Sequence, residues 1–457
     1  MGARAGFRTS SQERIGFALF MSGQAMFNYF MGTFVQKYFT DKSIAAVAVG
    51  TIFLFARVWD AVNDLMFGAI LDKAHLKGGK FLPWLRMSVV LTPLAFFTLF
   101  AMPESIPAGM KIAWAAVTYL FYDIAYTICD VPIFSMTSAA TDNVQERTNI
   151  MSRNTMFALV ASVVVLVAAP LLYTNPSVGW FKSAVIIAIP AALLMVPFTV
   201  VGKERFVNKD TEPVTFKALL DYVKGNRFLL LFFSALTLMN LTNTAGTVAA
   251  YFAQYCLNDP ALVSVVVACL ALPTFAAAVL VPHITKKHDK FHVFLFSSIV
   301  SAVLGIVNFF VGYSNLPLLL AVVIIRGAFS GAVMVTQLMF TGDFVEYGEY
   351  KTGKRMQGIA YSLQTFTFKF FNAIPAALAM YILGFMGFVE GENAVQSAGT
   401  ISSIWFLFAL FPAISVAISL PVMFRYKLRD KDVQIMASVN SGEMPREEAE
   451  RIFASKY

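Results

Sequence analysis

The stretch Arg57-Val-Trp-Asp60-Ala-Val-Asn63-Asp64 stands inside the apolar run from Ala45 to Leu71. An ionisable group at membrane depth costs about 2.5–3.5 kcal/mol on insertion scales, whereas an apolar residue returns only about 0.3–0.6 kcal/mol. Two carboxylates therefore cancel the insertion energy of roughly ten leucines. They require a partner, a water-filled chamber or an ion. At about 100° per residue, Arg57, Asp60, Asn63 and Asp64 fall within about a third of the helix circumference and share one face. Asp60 and Asp64 are one turn apart, so their oxygens could converge on a small hard cation. The same pair could carry a proton. The plainer alternative is a buried ion pair with Arg57 that only fixes packing.

A second constellation lies in the fourth apolar segment, where Asp123, Tyr126, Thr127, Asp130 and Phe134 share a stripe. Pro132 follows Asp130 and frees backbone carbonyls. A carboxylate flanked by rings suits a sugar, accepting from hydroxyls while a ring covers an apolar pyranose face. Alternatively, Asp130 pairs with a lysine elsewhere in the bundle. In the eleventh segment Tyr361, Gln364 and Thr365 precede Lys369, and an ammonium in so apolar a run requires a carboxylate partner. Asp60, Asp64 and Asp130 are the available ones; the plainer alternative is a lysine that snorkels to the membrane interface. Asn240, Asn243, Thr244, Thr247 and Tyr251 give the seventh segment a polar face that either glues helices or lines a cavity. At the end of the second segment, Gly68, Asp72 and Lys73, followed by Lys80, have the chemistry of a latch that holds two helix ends in one conformation.

The elements that must position these groups are membrane helices. The chain has 457 residues, 58% of them hydrophobic and only 14% charged, against about 25% charged in a soluble domain. Its mean hydropathy is +0.67. A soluble enzyme is excluded on that ground. Twelve apolar segments are long enough to cross about 30 Å of hydrocarbon, at 15–38, 44–72, 84–103, 108–140, 152–174, 180–201, 226–254, 261–283, 291–312, 316–343, 356–388 and 400–425. The first follows a polar basic start with no small-residue cleavage site, so it reads as a span and not a signal peptide. The expected organisation is a six-helix bundle over 1–201 carrying the cation site, a polar loop at 202–225, a second six-helix bundle over 226–425, and a tail at 426–457.

The net charge of +8 sits in alternate loops: Arg4, Arg8 and Arg14, then Lys73 to Arg86, then Lys203 to Arg227, then Lys286 to Lys290, then the tail. The intervening loops hold little beyond Lys37, Lys42, Lys111 and Lys182. That asymmetry points away from nucleic acid. It predicts a multi-pass protein of the cell membrane with both termini in the cytoplasm. The tail, with Pro445 before Arg446-Glu447-Glu448, reads as a short solvated helix. Cys129, Cys256 and Cys269 have no metal-ligand spacing, and His75, His283, His288 and His292 fall in loops or at span ends. No cofactor is expected.

Together these residues resemble the glycoside–pentoside–hexuronide:cation symporters, the melibiose-permease-like branch of the major facilitator superfamily. The likeness rests on Gly50 to Asp64, Gly79-Lys80-Phe-Leu-Pro83-Trp84, Tyr126-Thr127-Ile-Cys-Asp130-Val-Pro132, Asp343-Phe-Val-Glu346-Tyr347-Gly348-Glu349-Tyr350, and Ala360-Tyr361 through Gln364-Thr365 to Lys369. It implies the major facilitator fold, an all-α membrane architecture of twelve helices in two bundles. It implies that Asp60 and Asp64, with Thr127 and Asn63, hold Na⁺ or H⁺. It further implies that Asp130 and Arg153 belong to the sugar pocket, with Lys369 close to both sites. From the residues themselves, Tyr126 and Phe134 are expected to flank the sugar, Gln364 and Thr365 to add polar contacts, and Arg57 to take part in coupling. One departure stands out: melibiose-type members carry a sugar-binding carboxylate on helix one, preceded by lysine, where this chain has Ala25 preceded by Gln24. Gln24 and Asn28 would then supply neutral hydrogen bonds.

The function expected is cation-coupled symport of a sugar or glycoside by alternating access, by a monomer in the lipid bilayer. A lysolipid carrier is the alternative substrate reading, and a membrane sensor the alternative of another class. The sensor would need a sizeable output domain. An enzyme would need a nucleophile with its base, or a metal site, and the sequence offers neither.

Overall fold

The first long helix, α1 (Ser11–Asp41), starts four residues before the expected span at 15, where a local cap fixes it. Ser10 accepts from the Glu13 amide while the Glu13 carboxylate accepts from the Ser10 amide, a reciprocal cap that satisfies two otherwise orphaned donors. The computed structural model describes residues 8–74, 76–206, 225–240, 244–353, 360, 364, 374–392 and 394–453, with backbone alone at 57, 61, 65, 69, 72, 144, 145 and 148. After α1 come α2 (Ala46–Lys73), α3 (Leu82–Phe100), α4 (Ala108–Ala140), α5 (Val144–Tyr173) and α6 (Gly179–Val201). Next are α7 (Arg227–Met239), α8 (Thr244–Tyr251, continued as a π-turn over Phe252–Cys256), α9 (Leu262–Ile284), α10 (Lys290–Val311) and α11 (Leu316–Thr352). The chain ends in α12 (Ile374–Phe385), α13 (Ala398–Ala409), α14 (Phe411–Met423), α15 (Asp430–Asn440) and α16 (Arg446–Phe453).

Among the described residues, nine helices are long and apolar enough to cross a membrane, and ten if the pair α13 and α14, bent by 44°, forms one span. No strand occurs among the described residues. Helix α4 runs unbroken through Pro132, since neighbouring helices can satisfy the backbone groups a membrane proline frees. Helix α11 runs nine residues past the expected end of its span at 343, to Thr352 and a left-handed Gly353 cap. The Asp343–Tyr350 motif is therefore helical. Val160, Leu193, Val279 and Phe310 are exposed by 64–81%, as lipid-facing side chains must be.

The contacts divide into two units. Unit one comprises Met1–Thr211, Thr247–Ala268 and Ala376–Ile404. In it α1 packs chiefly on α5 and α6, and α3 on α4 and α6. Gly23 permits the α1–α6 approach, because a Cβ there would stand 2.2 Å from the Ala191 carbonyl oxygen. Phe27, Phe30, Phe96 and Phe100 interlock edge to face and tilted as its core.

Unit two comprises Glu212–Gly246, Cys269–Pro375 and Trp405–Tyr457. Its core gathers Phe228, Phe232, Phe340 and Phe344 around the fully buried Tyr426. Arg326, buried in mid-helix, donates to the Phe408 and Ala409 carbonyls at the α13–α14 break, 3.4 and 3.3 Å away. The carbonyl end of a half-helix carries partial negative charge and suits a cation. The tail corrects an expectation, for it is docked and not solvated. Met436, Ala449 and Phe453 are buried, Asn440 donates to the backbone and side chain of Glu346, and Lys290 bridges Asp343 and Asp430. The apolar spacing of Val433, Met436 and Val439 was the available signal for a packed face.

Candidate functional site

Helices α2 and α4 meet in unit one through a directed chain of hydrogen bonds. The Asn63 amide donates to Thr127 Oγ1 at 2.8 Å, and that hydroxyl donates to Asp64 Oδ1 at 3.3 Å. Asn63 and Thr127 are buried, and Asp64 is half-buried. Three of the four residues expected to hold the cation therefore touch, from two helices. Asp60 lies one turn earlier on α2 and is half-buried. Carboxylate, amide and hydroxyl oxygens are hard donors, the kind a small hard cation takes. No cluster of three or more His, Cys, Asp or Glu occurs among the described residues, so such a site would draw on Thr and Asn oxygens as well.

One turn along α4, Asp130 reaches a third helix. Gln24 on α1 donates its amide to Asp130 Oδ1 at 2.6 Å. The nitrogen makes that bond, while the oxygen of the same amide, Gln24 Oε1, is buried and has no hydrogen-bond partner. An unpaired buried acceptor costs about 1–3 kcal/mol, which a ligand hydroxyl would recover. Tyr126 stacks on Tyr122 at 5.9 Å on the same helix and supplies an aromatic face. Phe134 is 51% exposed, and Asn28 and Arg153 are exposed on α1 and α5.

Gln364 is buried. Thr365 and Lys369 lie outside the described residues, as do the side chains of Arg57 and Asp72. In the expected latch, a Cβ added at Gly68 would meet only open space, Lys73 is exposed, and the Lys80 ammonium lies 5.6 Å from the Phe81 ring.

The helix-end contacts run through residues that sequence reasoning missed. Glu204 accepts from the backbone amides of Lys80, Phe81 and Leu82 at 2.7–2.8 Å and so closes the start of α3. Glu146, fully buried, accepts from the Arg8 and Thr9 amides and the Thr9 and Thr141 hydroxyls. Burial opposes its charge, yet these four donors hold its carboxyl down at about 2. Burial likewise opposes the charge on Glu13, and the Arg205 guanidinium and Ser10 outweigh it, leaving Glu13 below the usual carboxylate range. Each acid lies in a loop or first turn full of basic residues, where only the basic ones were conspicuous. A cavity of about 470 Å³ beside this end of α1 is lined by Arg8, Lys203 and Arg205. Two of these cations are already bound, Arg8 to Asp142 and Arg205 to Glu13.

On the polar face of the seventh segment, Thr244 and Tyr251 tie helices together. Thr244 donates to the Leu407 carbonyl and Tyr251 bonds Thr40, while Asn243 lies outside the described residues.

The sequence profile of the MFS/sugar transport protein family matches residues 16–430. The chain belongs to this family. It is a multi-pass membrane transporter of the major facilitator fold and not an enzyme. It is 29% identical over 425 residues to the isoprimeverose transporter of Lactiplantibacillus pentosus, covering 90% of this chain and 87% of that protein. It is 29% identical over 417 residues to the glucuronide carrier protein homolog of Escherichia coli, covering 89% and 90%. The inner membrane symporter YicJ of Escherichia coli is 24% identical over 425 residues, covering 91% and 92%. Among solved structures, the nucleoside transporter NupG superposes with a TM-score of 0.65 at 14% identity, covering 92% of this chain and 100% of that one; that likeness speaks to fold alone.

Proposed function

We propose that this transporter is a cation-coupled sugar symporter working by alternating access, with the cation held by Asp60, Asn63, Asp64 and Thr127 and the sugar by Asp130 and Gln24. The observation that carries the reading is the placement of Thr127 and Asp130 within one turn of α4, the first tied to α2 and the second to α1. A cation that draws on the first contact shifts the helix that presents the second. Coupling of this kind is reciprocal, so a cation that tightens sugar binding is itself tightened by sugar to the same factor. Relatives named for isoprimeverose and for a glucuronide support a sugar substrate, and a relative named as a symporter supports co-transport.

The unpaired Gln24 oxygen beside the Asp130 carboxylate favours a ligand that donates hydroxyls. Arg153 would favour a uronate, with Tyr126 and Phe134 flanking the ring and Asn28 extending the α1 face. Gln364 and Thr365 add polar contacts to the sugar, Arg57 takes part in coupling, and Lys369 keeps the place close to both sites that the family likeness implies. We assign the chain two six-helix halves, 1–201 and 226–425, joined by 202–225 and followed by the tail. Both termini lie in the cytoplasm, and the working unit is a monomer in the cell membrane. The coupling ion is Na⁺ or H⁺.

The test is radiolabelled uptake into membrane vesicles. Pentosides, hexuronides and galactosides are each run with Na⁺, with Li⁺ and over a range of pH. Accumulation of at least one sugar above equilibrium, stimulated by one cation gradient, is expected. A panel in which no sugar is accumulated under any gradient rejects the reading.

A further inference from the structure

Lys37 counts in the sequence as one of the few charges of an outer loop. In the structure it is 3% exposed, inside the last turns of α1. It pairs with Asp41 one turn on, whose other oxygen accepts from the Trp180 indole at 3.0 Å. Its ammonium lies 5.7 Å from the Tyr251 ring and 6.0 Å from the Tyr255 ring. Both rings belong to the end of α8 and its π-turn, a helix irregularity that recurs at functional sites.

The same end of α1 and the adjoining start of α2 meet later parts of the chain through several polar contacts and through close packing of α12 on α2. The Thr40 hydroxyl bonds Tyr251 Oη at 2.9 Å, and the Gly391 amide donates to the Thr40 carbonyl at 2.9 Å. Glu390 accepts from the Ala46 amide at 3.0 Å and so caps α2, which has no side-chain cap of its own. Gly384 lets α12 close on α2, since a Cβ there would stand 2.5 Å from Val47.

We propose that Lys37 is a positioning residue of the transport cycle, the latch of an outer gate formed where the Tyr251–Cys256 turn seats on the end of α1. The proposal rests on the alternating-access reading and its orientation. A permanent joint would gain nothing from a buried ion pair, because well-packed apolar side chains are usually as stable or more so. A gate has a different requirement. Its closed and open states must differ by only a few kcal/mol, or no ligand could shift them. Lys37 and Asp41 lie on one helix, so the pair survives opening. The two tyrosine faces leave, and water returns to both charges. The hydration regained offsets the ring and hydroxyl interactions given up, which keeps the gate reversible.

Cys256 is a built-in reporter. It is 6% exposed at the end of the π-turn, so opening should admit a membrane-impermeant maleimide applied from outside to right-side-out vesicles. Modification is followed peptide by peptide, with Cys129 and Cys269 resolved separately. Lys37→Met leaves Asp41 buried without its ion-pair partner in the closed state, and Cys256 labelling is expected to rise at least about tenfold. Lys37→Arg should restore the native rate. Lys37→Met with Asp41→Asn makes the seat neutral, and labelling should fall below the native rate. Labelling that is unchanged in Lys37→Met, or that rises equally in the double variant, overturns the proposal. Should Lys37→Met fail to insert, a Gly50→Cys, Met380→Cys pair gives a second measurement, since a Cβ on Gly50 would stand 3.3 Å from Met380 Cβ. Oxidising that pair in the otherwise native chain should reduce Cys256 labelling to background, and persistent labelling refutes the gate. No sugar is needed for these assays. A gate that fails while an uptake panel succeeds leaves the transport reading intact, and the reverse result separates the two as cleanly.

Discussion

Asp60 and Asp64 were conspicuous because charge inside an apolar run is costly, but their usefulness depends on what faces them. Asp64 and Asn63 face Thr127. Asp60→Ala removes one oxygen donor of the proposed cation site and is expected to abolish Na⁺- or H⁺-driven accumulation while the protein still inserts. Unchanged accumulation against a gradient, measured in vesicles, removes Asp60 from the site. Gln24 shows the converse, a neutral residue whose value the sequence could only suggest. Its amide holds Asp130 and leaves an acceptor unpaired. Gln24→Leu deletes a hydrogen bond to a charged group and an acceptor together, so sugar affinity should fall roughly 10- to 100-fold, with Asp130→Ala at least as severe. Equilibrium binding with the sugar identified by uptake checks this, and native affinity in either variant takes that residue out of the pocket.

At the scale of elements, helix existence was legible and helix anchoring was not. The boundaries of α4 follow from its apolar run, 108–140 in both readings. The α1 cap follows from Ser10 and Glu13, three residues apart. The carboxylates that tie other helix ends lie far along the chain from the amides they serve: Glu146 for residues 8 and 9, Glu204 for residues 80–82, Glu390 for residue 46. No local pattern marks such a partner. Glu146 gives the clearest consequence. Its carboxyl titrates at about 2 in the folded protein against an ordinary value of 4.5. A group depressed on folding stabilises above its unfolded value, and that stability is lost as pH falls through the folded one. The α1–α5 junction should therefore weaken between pH 4.5 and about 2, by on the order of 3 kcal/mol. Glu146→Gln should lower the thermal midpoint at neutral pH and flatten its acid dependence, as read by thermal unfolding in detergent. An unchanged midpoint and acid limb would show that this carboxylate bears no such load.

For the whole molecule, the decisive quantities are the apolar length of each segment and the energy source of transport. Burial of one face and lipid exposure of the other follow from composition, since 58% of the chain is hydrophobic. A symporter cannot concentrate its substrate without the partner's gradient, so collapse of that gradient with an ionophore should bring internal sugar to the external level, while exchange of labelled for unlabelled sugar continues. Accumulation that survives collapse of both Na⁺ and H⁺ gradients would exclude secondary coupling to either ion.

By itself the sequence determined that the chain lives in a membrane, that its helices follow one another with short polar breaks, and which carboxylates are too costly to be idle. Those are matters of solvation energy and helical period, and both are local. The tertiary structure supplied the direct contact of Thr127 with Asp64, and it alone decided that Gln24 holds Asp130, that the tail is packed, and that Lys37 is buried under two tyrosine rings. Each of these depends on which distant segment supplies the partner, and a hydrogen bond or a ring contact leaves no trace in the spacing of either stretch of sequence it joins.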